Sequence, residues 1–447
     1  MLDIIKFLVY NSKCKLKGKR KMLSYFTIKN FKSILDLTLD LSFAEGKAPN
    51  GYEESEFLPF VGVKTRYVPT LALFGANASG KTNILYALNL FQSTVLRGVG
   101  GLYVPNKLNH KYDSTAFEVG LDLEGKKYIY TIEYNQYGII HEGLYKKNKQ
   151  EVIYEIHNGE TSFDGIATKE YTSQRLKEIF KVECQNENKQ QWLPFLTCLC
   201  KNYKRLNKVI ISVGNYLLFG IEVYIKNNVP LPVGLEKLAK VDTPETISNA
   251  FEKITTILKK LDIDINKMTL DRKYQTIEDP NKPLNIEARE GTFFGRKNNM
   301  LIMDEIRSYH TDTNGNEVVF NFSEESEGTR TLSGLLGICL SALEDGKVVF
   351  VDELENSLHP RLLKEIIRLF KDKRYNTKNA QLVFTAHNTD ILDDDLIRVS
   401  EVGIVSKTMK EGSTIKRISD FEGIRNVYNF RKQYLNGLFS GLPYPYI

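Results

Sequence analysis

The sequence predicts an α/β fold: a mixed β-sheet with helices, an antiparallel β meander and an inserted, mainly helical subdomain. Three observations predict it. An apolar run, Leu71 to Phe74, ends at a glycine-rich segment, and Ile84, Leu85, Leu88 and Phe91 follow at helical spacing. A second apolar run, Val348 to Val351, ends in Asp352 and Glu353 and leads into helix, strand and strand up to Ser406, an order that gives a mostly parallel core. The segments AFEVGLDL, YIYTIEY and NQYGIIHEGLY, between Ala116 and Tyr154, alternate around short turns and read as a meander.

The remaining elements follow in chain order. Residues 23–42 alternate as two strands around a turn near Asn30 to Ser33. Residues 43–69 collect Gly, Pro and acids and read as a loop insertion. Helices are expected at Thr172 to Phe180 and Thr246 to Leu261, the second with Thr243 as N-cap and Pro244 at the first helical position. Residues 271–299 are polar and read as irregular. Glu305 to Phe322 is a hairpin with Asn314-Gly315 at its turn. A helix over Arg330 to Leu343 precedes the acidic strand, and another over Pro360 to Lys373 follows it. The expected domains are a basic tail (1–21), one half of the core (22–154), a helical insertion (155–300) and the second half (301–447).

Composition narrows the class. Apolar residues make up 42% of the 447 and charged residues 26%, which lets a large core form without disulfides. The five cysteines contain no CxxC pair; Cys198 and Cys200 read as buried thiols of a reducing cytoplasm. No apolar run reaches membrane-spanning length. Val209 to Ile225 comes nearest, but Asn215 and Glu222 interrupt it, so it reads as a buried helix. Lys and Arg outnumber Asp and Glu by 61 to 55, and the first 21 residues hold seven bases against one acid. The excess of six thus sits in the tail, and the rest is balanced. The tail's charges follow its apolar stretch, the reverse of an export signal. Met22 is the expected biological start; the competing reading is a nucleic-acid-binding arm.

Gly75-Ala76-Asn77-Ala78-Ser79-Gly80-Lys81-Thr82 fits GxxxxGK[ST]. Its glycines let backbone N–H groups turn inward around a phosphate, and the following helix adds its dipole. These residues and Asn83 are expected to surround the phosphates of ATP, with Lys81 on the β and γ groups and Thr82 on Mg2+. Asp352 is expected to hold the same Mg2+, and Glu353 to polarise the attacking water as general base. Alone, that run reads as a buried strand before an acidic helix start; the glycine loop upstream favours the functional reading. Ser326-Glu327-Gly328-Thr329 opens a helix and forms either an anion-binding corner or a plain N-cap. His387, after the strand Gln381 to Thr385, is placed to touch the γ-phosphate.

In this order, the glycine loop, the SxGT corner, the acidic strand, the SLHP turn (Ser357 to Pro360) and Thr385-Ala386-His387 resemble the ABC-type AAA ATPases of the SMC/RecF/OLD-like branch. About 240 residues separate glycine loop and corner, unlike transporter subunits. The segments FTIKNFKSI, GANASGKTNIL, LPFLTCLCKNYKRLNKV, LDIDI and FRKQYLNGLFSGLPYPYI resemble the ATPase of AbiL/RloA-type abortive-infection systems. The resemblance implies an ABC-ATPase-like P-loop core and two subunits that sandwich two ATP molecules, with Ser326 to Thr329 acting in trans. It also implies a separate effector, a nuclease toxin, in anti-phage defence. Only 60 residues follow His387, too few for a nuclease domain of OLD type.

Other readings stay open. Gln136 is a candidate for the Q-loop glutamine but lies in an Asn-Gln-Tyr-Gly turn. Lys201, Lys204, Arg205 and Lys208 fall roughly on one helical face, with Lys259 and Lys260 further on; they form a solvated face or contact nucleic acid or a partner. A DNA-repair ATPase acting on DNA ends, and an ATP-bound scaffold with little turnover, are the rivals.

Overall fold

The structure is a computed structural model that describes residues 21–43, 67–99, 103–108, 111–146, 149–225, 244–276, 292–297, 300–356, 358–372, 374–392, 396–422, 429–439 and 441. The basic tail up to residue 20, Thr243 and Ser357 lie outside these, as does most of the 43–69 loop. The chain forms two compact units: residues up to 225, 345–354 and from 367 onward in the first, and 226–344 with 355–366 in the second.

In the first unit, β1 (Lys21–Phe31) and β2 (Ile34–Asp40) form the expected hairpin. Asn30 and Lys32 take left-handed φ at its turn. β3 (Thr70–Phe74) is wholly buried and runs into the glycine loop and α1 (Lys81–Arg97). The meander β4 (Thr115–Leu123), β5 (Lys126–Asn135), β6 (Gly138–Lys146), β7 (Glu151–His157) and β8 (Glu160–Ser162) follows. Gln136 is exposed in the β5–β6 turn and closes that hairpin. Helices α2 (Ser173–Ile179), α3 (Phe195–Asn202) and α4 (Lys208–Phe219) lead to β9 (Ile221–Tyr224).

In the second unit, α5 (Pro244–Lys260) precedes a four-stranded antiparallel sheet: β10 (Lys267–Thr276), β11 (Thr292–Lys297), β12 (Met300–Thr311) and β13 (Glu317–Asn321). α6 (Glu327–Asp345) follows and ends at the boundary. The predicted hairpin forms between β12 and β13, with Gly315 at φ 85°. The chain then returns through β14 (Val348–Val351), α7 (Pro360–Lys371), β15 (Gln381–Thr385), β16 (Val402–Thr408), β17 (Gly412–Arg417) and α8 (Phe430–Leu435).

The first unit is built on one thirteen-stranded sheet in the order β8-β7-β6-β5-β4-β1-β2-β17-β16-β3-β15-β14-β9. The block β16-β3-β15-β14-β9 is parallel, and the other pairs are antiparallel. Helix α1 lays Ile84, Leu85, Leu88 and Phe91, each fully buried, on this sheet. Phe91 meets Phe26 and Phe117 at ring distances of 5.7 and 5.8 Å.

Four expectations are corrected. Val209 to Ile225 is not one helix: it stops at Gly220, and Ile221–Tyr224 becomes the parallel edge strand β9 against β14. The β-branched and aromatic run after a terminating glycine suits a strand. Residues 155–300 are not a single insertion with those bounds. β7 and β8 extend the sheet, α2 to α4 belong to the first unit, and the division falls after residue 225. Residues 271–299 are not irregular throughout, because β10 and β11 run antiparallel to β12. Lys201, Lys204, Arg205 and Lys208 do not share a helical face: α3 ends at Asn202, and Arg205 takes φ 56° in the turn before α4.

Glu142 on β6 joins the meander to these helices. Its carboxylate is fully buried and accepts from Tyr130 Oη (3.1 Å), Tyr154 Oη (2.8 Å), Gln191 Nε2 (2.6 Å) and the N–H groups of Phe195 (2.7 Å) and Leu196 (3.0 Å) at the start of α3. Burial nevertheless raises its pKa, because desolvation outweighs these donors.

Candidate functional site

The parallel block sets three strand ends side by side, since β15 lies between β3 and β14. Residues leaving β3, β14 and β15 therefore gather at one corner of the sheet, where open α/β folds place ligands.

The glycine loop leaves β3 through Gly75 at φ 150°. A Cβ there would stand 2.1 Å from the Val405 carbonyl oxygen, so only glycine fits. Ala78 is left-handed at φ 63°, and Gly80 turns the chain into α1 at φ 107°. Asn77 and Ala78 are exposed, while Ser79 and Lys81 are buried. Lys81 Nζ donates to the carbonyls of Gly75 (2.7 Å) and Ala76 (3.2 Å), so the ammonium lies inside the loop.

The predicted metal ligands meet across 270 residues of chain: Thr82 Oγ1 donates to Asp352 Oδ1 at 3.2 Å. Thr385, at the tip of β15, donates to the same oxygen at 2.7 Å and accepts from the Glu353 N–H at 2.7 Å. The Asp352 N–H is fixed on the Tyr224 carbonyl at the end of β9, 2.8 Å away. Glu353 is left-handed at φ 47°, a costly conformation for a side chain with a Cβ, maintained by these flanking bonds. His387 follows two residues after Thr385 and is exposed.

A hydroxyl cluster supports the loop from below. Ser413 Oγ donates to the Ser79 carbonyl (2.7 Å) and lies 2.7 Å from Ser33 Oγ, to which Asn83 Nδ2 donates at 2.7 Å. A Cβ on Gly80 would reach 2.2 Å from Ser413 Oγ. Beside it, the Lys32 ammonium lies over the Tyr86 ring at 3.9 Å, and burial lowers its pKa. Sequence reasoning missed Ser33, Ser413 and the role of Thr385. Only the FKSI and TAH segments carried a signal, and Ser413 had none.

The corner fits a nucleotide phosphate with a hard cation. Ser79 Oγ is buried and, among the described residues, has no hydrogen-bond partner; a phosphate oxygen is the acceptor it suits. Gly80 offers α1 no side-chain cap, which suits an anion at that helix start. Thr82 and Asp352 present oxygen donors, as Mg2+ prefers, and Mg2+ takes few protein ligands when phosphates supply others. Among the described residues no cluster of three or more His, Cys, Asp or Glu could hold a metal ion.

Ser326 to Thr329 belong to the second unit, whereas the residues above belong to the first. Ser326 is the N-cap of α6: its Oγ accepts from the Thr329 N–H (3.1 Å) and lies 2.8 Å from Thr329 Oγ1. Ser326 and Glu327 are exposed. The preceding loop is tied down by Glu325, which accepts from Ser308 and lies 2.6 Å from His310 Nε2, both on β12.

Fold and corner define a P-loop nucleotide-binding protein. The chain belongs to the AAA-domain family described as "AAA domain, putative AbiEii toxin, Type IV TA system", whose model matches residues 71–181 and 237–393. That is the ATPase class expected from the motifs. No curated protein matches the chain. Among solved structures it is similar to an SMC head bound to the C-terminal winged-helix domain of ScpA, with 12% identity, 91% of this chain and 99% of that chain covered, and a TM-score of 0.43. It is also similar to the SMC head domain from Thermotoga maritima (14% identity, 88% and 98% covered, TM-score 0.39) and to the recombination mediator RecF with ATPrS (11%, 90% and 99%, 0.37). Among the described residues no helix is long and apolar enough to cross a membrane.

Proposed function

We propose that the protein is a magnesium-dependent ATP hydrolase whose ATP-bound form pairs with a second copy and so controls a separate effector, a nuclease toxin, in anti-phage defence. The observation that carries the enzymatic part is the Thr82–Asp352–Thr385 network, which sets Glu353 in a strained turn beside the glycine loop. The toxin–antitoxin description of the family supports the biological part.

Lys81 and the loop N–H groups hold the β- and γ-phosphates. Thr82 and Asp352 would hold Mg2+, which when bound neutralises charge on the phosphates. Glu353 accepts the proton of a water that attacks the γ-phosphorus. The bond to the bridging oxygen breaks, and ADP and phosphate leave. His387 donates to the γ-phosphate. In the pair, Ser326 and Gly328 of one copy complete the anion site of the other.

The test is the full chain carrying Glu353→Gln, assayed for turnover and for solution mass with and without Mg-ATP. Turnover should fall by about two orders of magnitude or more, as for loss of a general base, while ATP still binds. The mass should double with ATP, and Ser326→Arg should abolish the doubling. Unimpaired turnover would remove Glu353 from its role, and a mass indifferent to ATP would refute the pairing.

A further inference from the structure

Four consecutive residues of β10, Lys267 to Leu270, line a pocket of about 710 Å3. Successive strand side chains point to opposite faces. Four in a row therefore reach one cavity only along the strand's edge. β10 has such an edge, since among the described residues it ends its sheet and pairs with β12 alone. The facing wall is α5, where Ser248, Phe251, Thr255 and Lys259 recur at steps of three and four and form one stripe. Phe251 and Met268, each 4% exposed, give the groove an apolar floor. Its size lies within the range of specific ligand sites.

Charge selects the occupant. Arg272, Lys273 and Asp271 are engaged across the sheet by Asp304 (2.7 Å), Glu305 (2.9 Å) and Arg307 (3.4 Å). Lys259, Lys267 and Glu252 also border the groove and are exposed, so the two lysines outnumber the one acid; among the described residues neither lysine has an acidic partner. Lys267 rests against the Tyr309 ring at 5.0 Å. A second copy of β10 would bring the same basic strand against this one, an arrangement that edge lysines disfavour.

We propose that the β10 edge and the facing stripe of α5 form a docking groove for an extended acidic segment of a partner protein, which adds to the sheet as a further strand. Backbone pairing gives affinity, the apolar floor takes alternate side chains, and Lys259 and Lys267 select acids. The proposal is independent of the nucleotide site.

The probe is a fluorescein-labelled peptide of alternating Glu and Val, ten residues long to match β10, titrated into the full chain by fluorescence anisotropy. Saturable binding is expected. The double variant Lys259→Glu, Lys267→Glu should weaken it by about tenfold or more and should gain affinity for the Lys–Val counterpart. Methylation of alternate peptide nitrogens, which removes strand donors and keeps the side chains, should abolish binding. Lys81→Ala should leave it unchanged. An unaltered affinity in the double variant, equal binding of the methylated peptide, or no saturable binding would each overturn the proposal. Both lysines are exposed, so an unchanged melting curve verifies that the variant folds.

Discussion

Helices α1 and α6 both begin where an anion is expected, yet their first turns are closed in opposite ways. At α1 the N-cap is Gly80, left-handed and without a side chain to offer. At α6 the N-cap is Ser326, whose hydroxyl already accepts from the Thr329 N–H, and Glu327 follows it. α3 shows a third solution: Glu142, a carboxylate from a distant strand, takes the first two N–H groups. A carboxyl group thus occupies one helix start of this fold. The start of α1 carries no side-chain cap, whereas that of α6 is already capped by Ser326.

The largest effect should come from α1. Lys81→Ala removes the cation inside the loop and should weaken ATP binding by about a hundredfold, the scale of a lost charged hydrogen bond. Equilibrium titration with a fluorescent ATP analogue measures it, and retained affinity would make α1 no more an anion site than α6.

Thr385→Val comes next. It deletes the hydroxyl that serves both Asp352 and the Glu353 N–H, so kcat should fall by about tenfold or more while KM changes little. Thr385→Ser keeps the hydroxyl and should recover most of the loss in kcat. Equal kcat for the Val and Ser variants would show that the network does not position Glu353.

At α6 the sharpest substitution is Ser326→Asp. Aspartate is as good an N-cap as serine, so the melting temperature should hold, whereas Ser326→Ala should lose about 1 kcal/mol. The added charge should still prevent ATP-dependent pairing, read as solution mass. An intact pair would mean that Ser326 is a cap and nothing more.

The smallest effect is a pH profile at α3. Glu142 has a folded pKa raised above its usual 4.5, so it holds its proton more tightly when folded. Its contribution to stability is full below 4.5 and is lost as pH rises through the folded value. Relative to Glu142→Gln, the parent chain should lose melting temperature with rising pH across that window. Parallel profiles would contradict the sign.

What could be read from sequence was local. The glycine loop, the acidic strand and the Asn314-Gly315 hairpin lie in short contiguous patterns, and each forms where expected. Thr82 and Asp352 were assigned to one ion by motif alone, and they do meet. Ser33, Ser413 and the double role of Thr385 were illegible because their meaning is their proximity: Ser33 and Ser413 are 380 residues apart. β9 hid behind α4 because both are apolar and continuous, with only Gly220 between them. β10 hid because an edge strand in which Met268 alone is buried, spelled Lys-Met-Thr-Leu-Asp-Arg-Lys, lacks the strong alternation of a central strand.

The chain crosses between its two units after residues 225, 344, 354 and 366. Asp352 and Glu353 therefore sit on a ten-residue span, 345–354, with the second unit attached at both ends. Glu353 is separated by Leu354 alone from one crossing. β14 lies within this span and is paired on both sides, by β15 and by β9. The shortest piece of the first unit thus carries Asp352, the acid that meets Thr82.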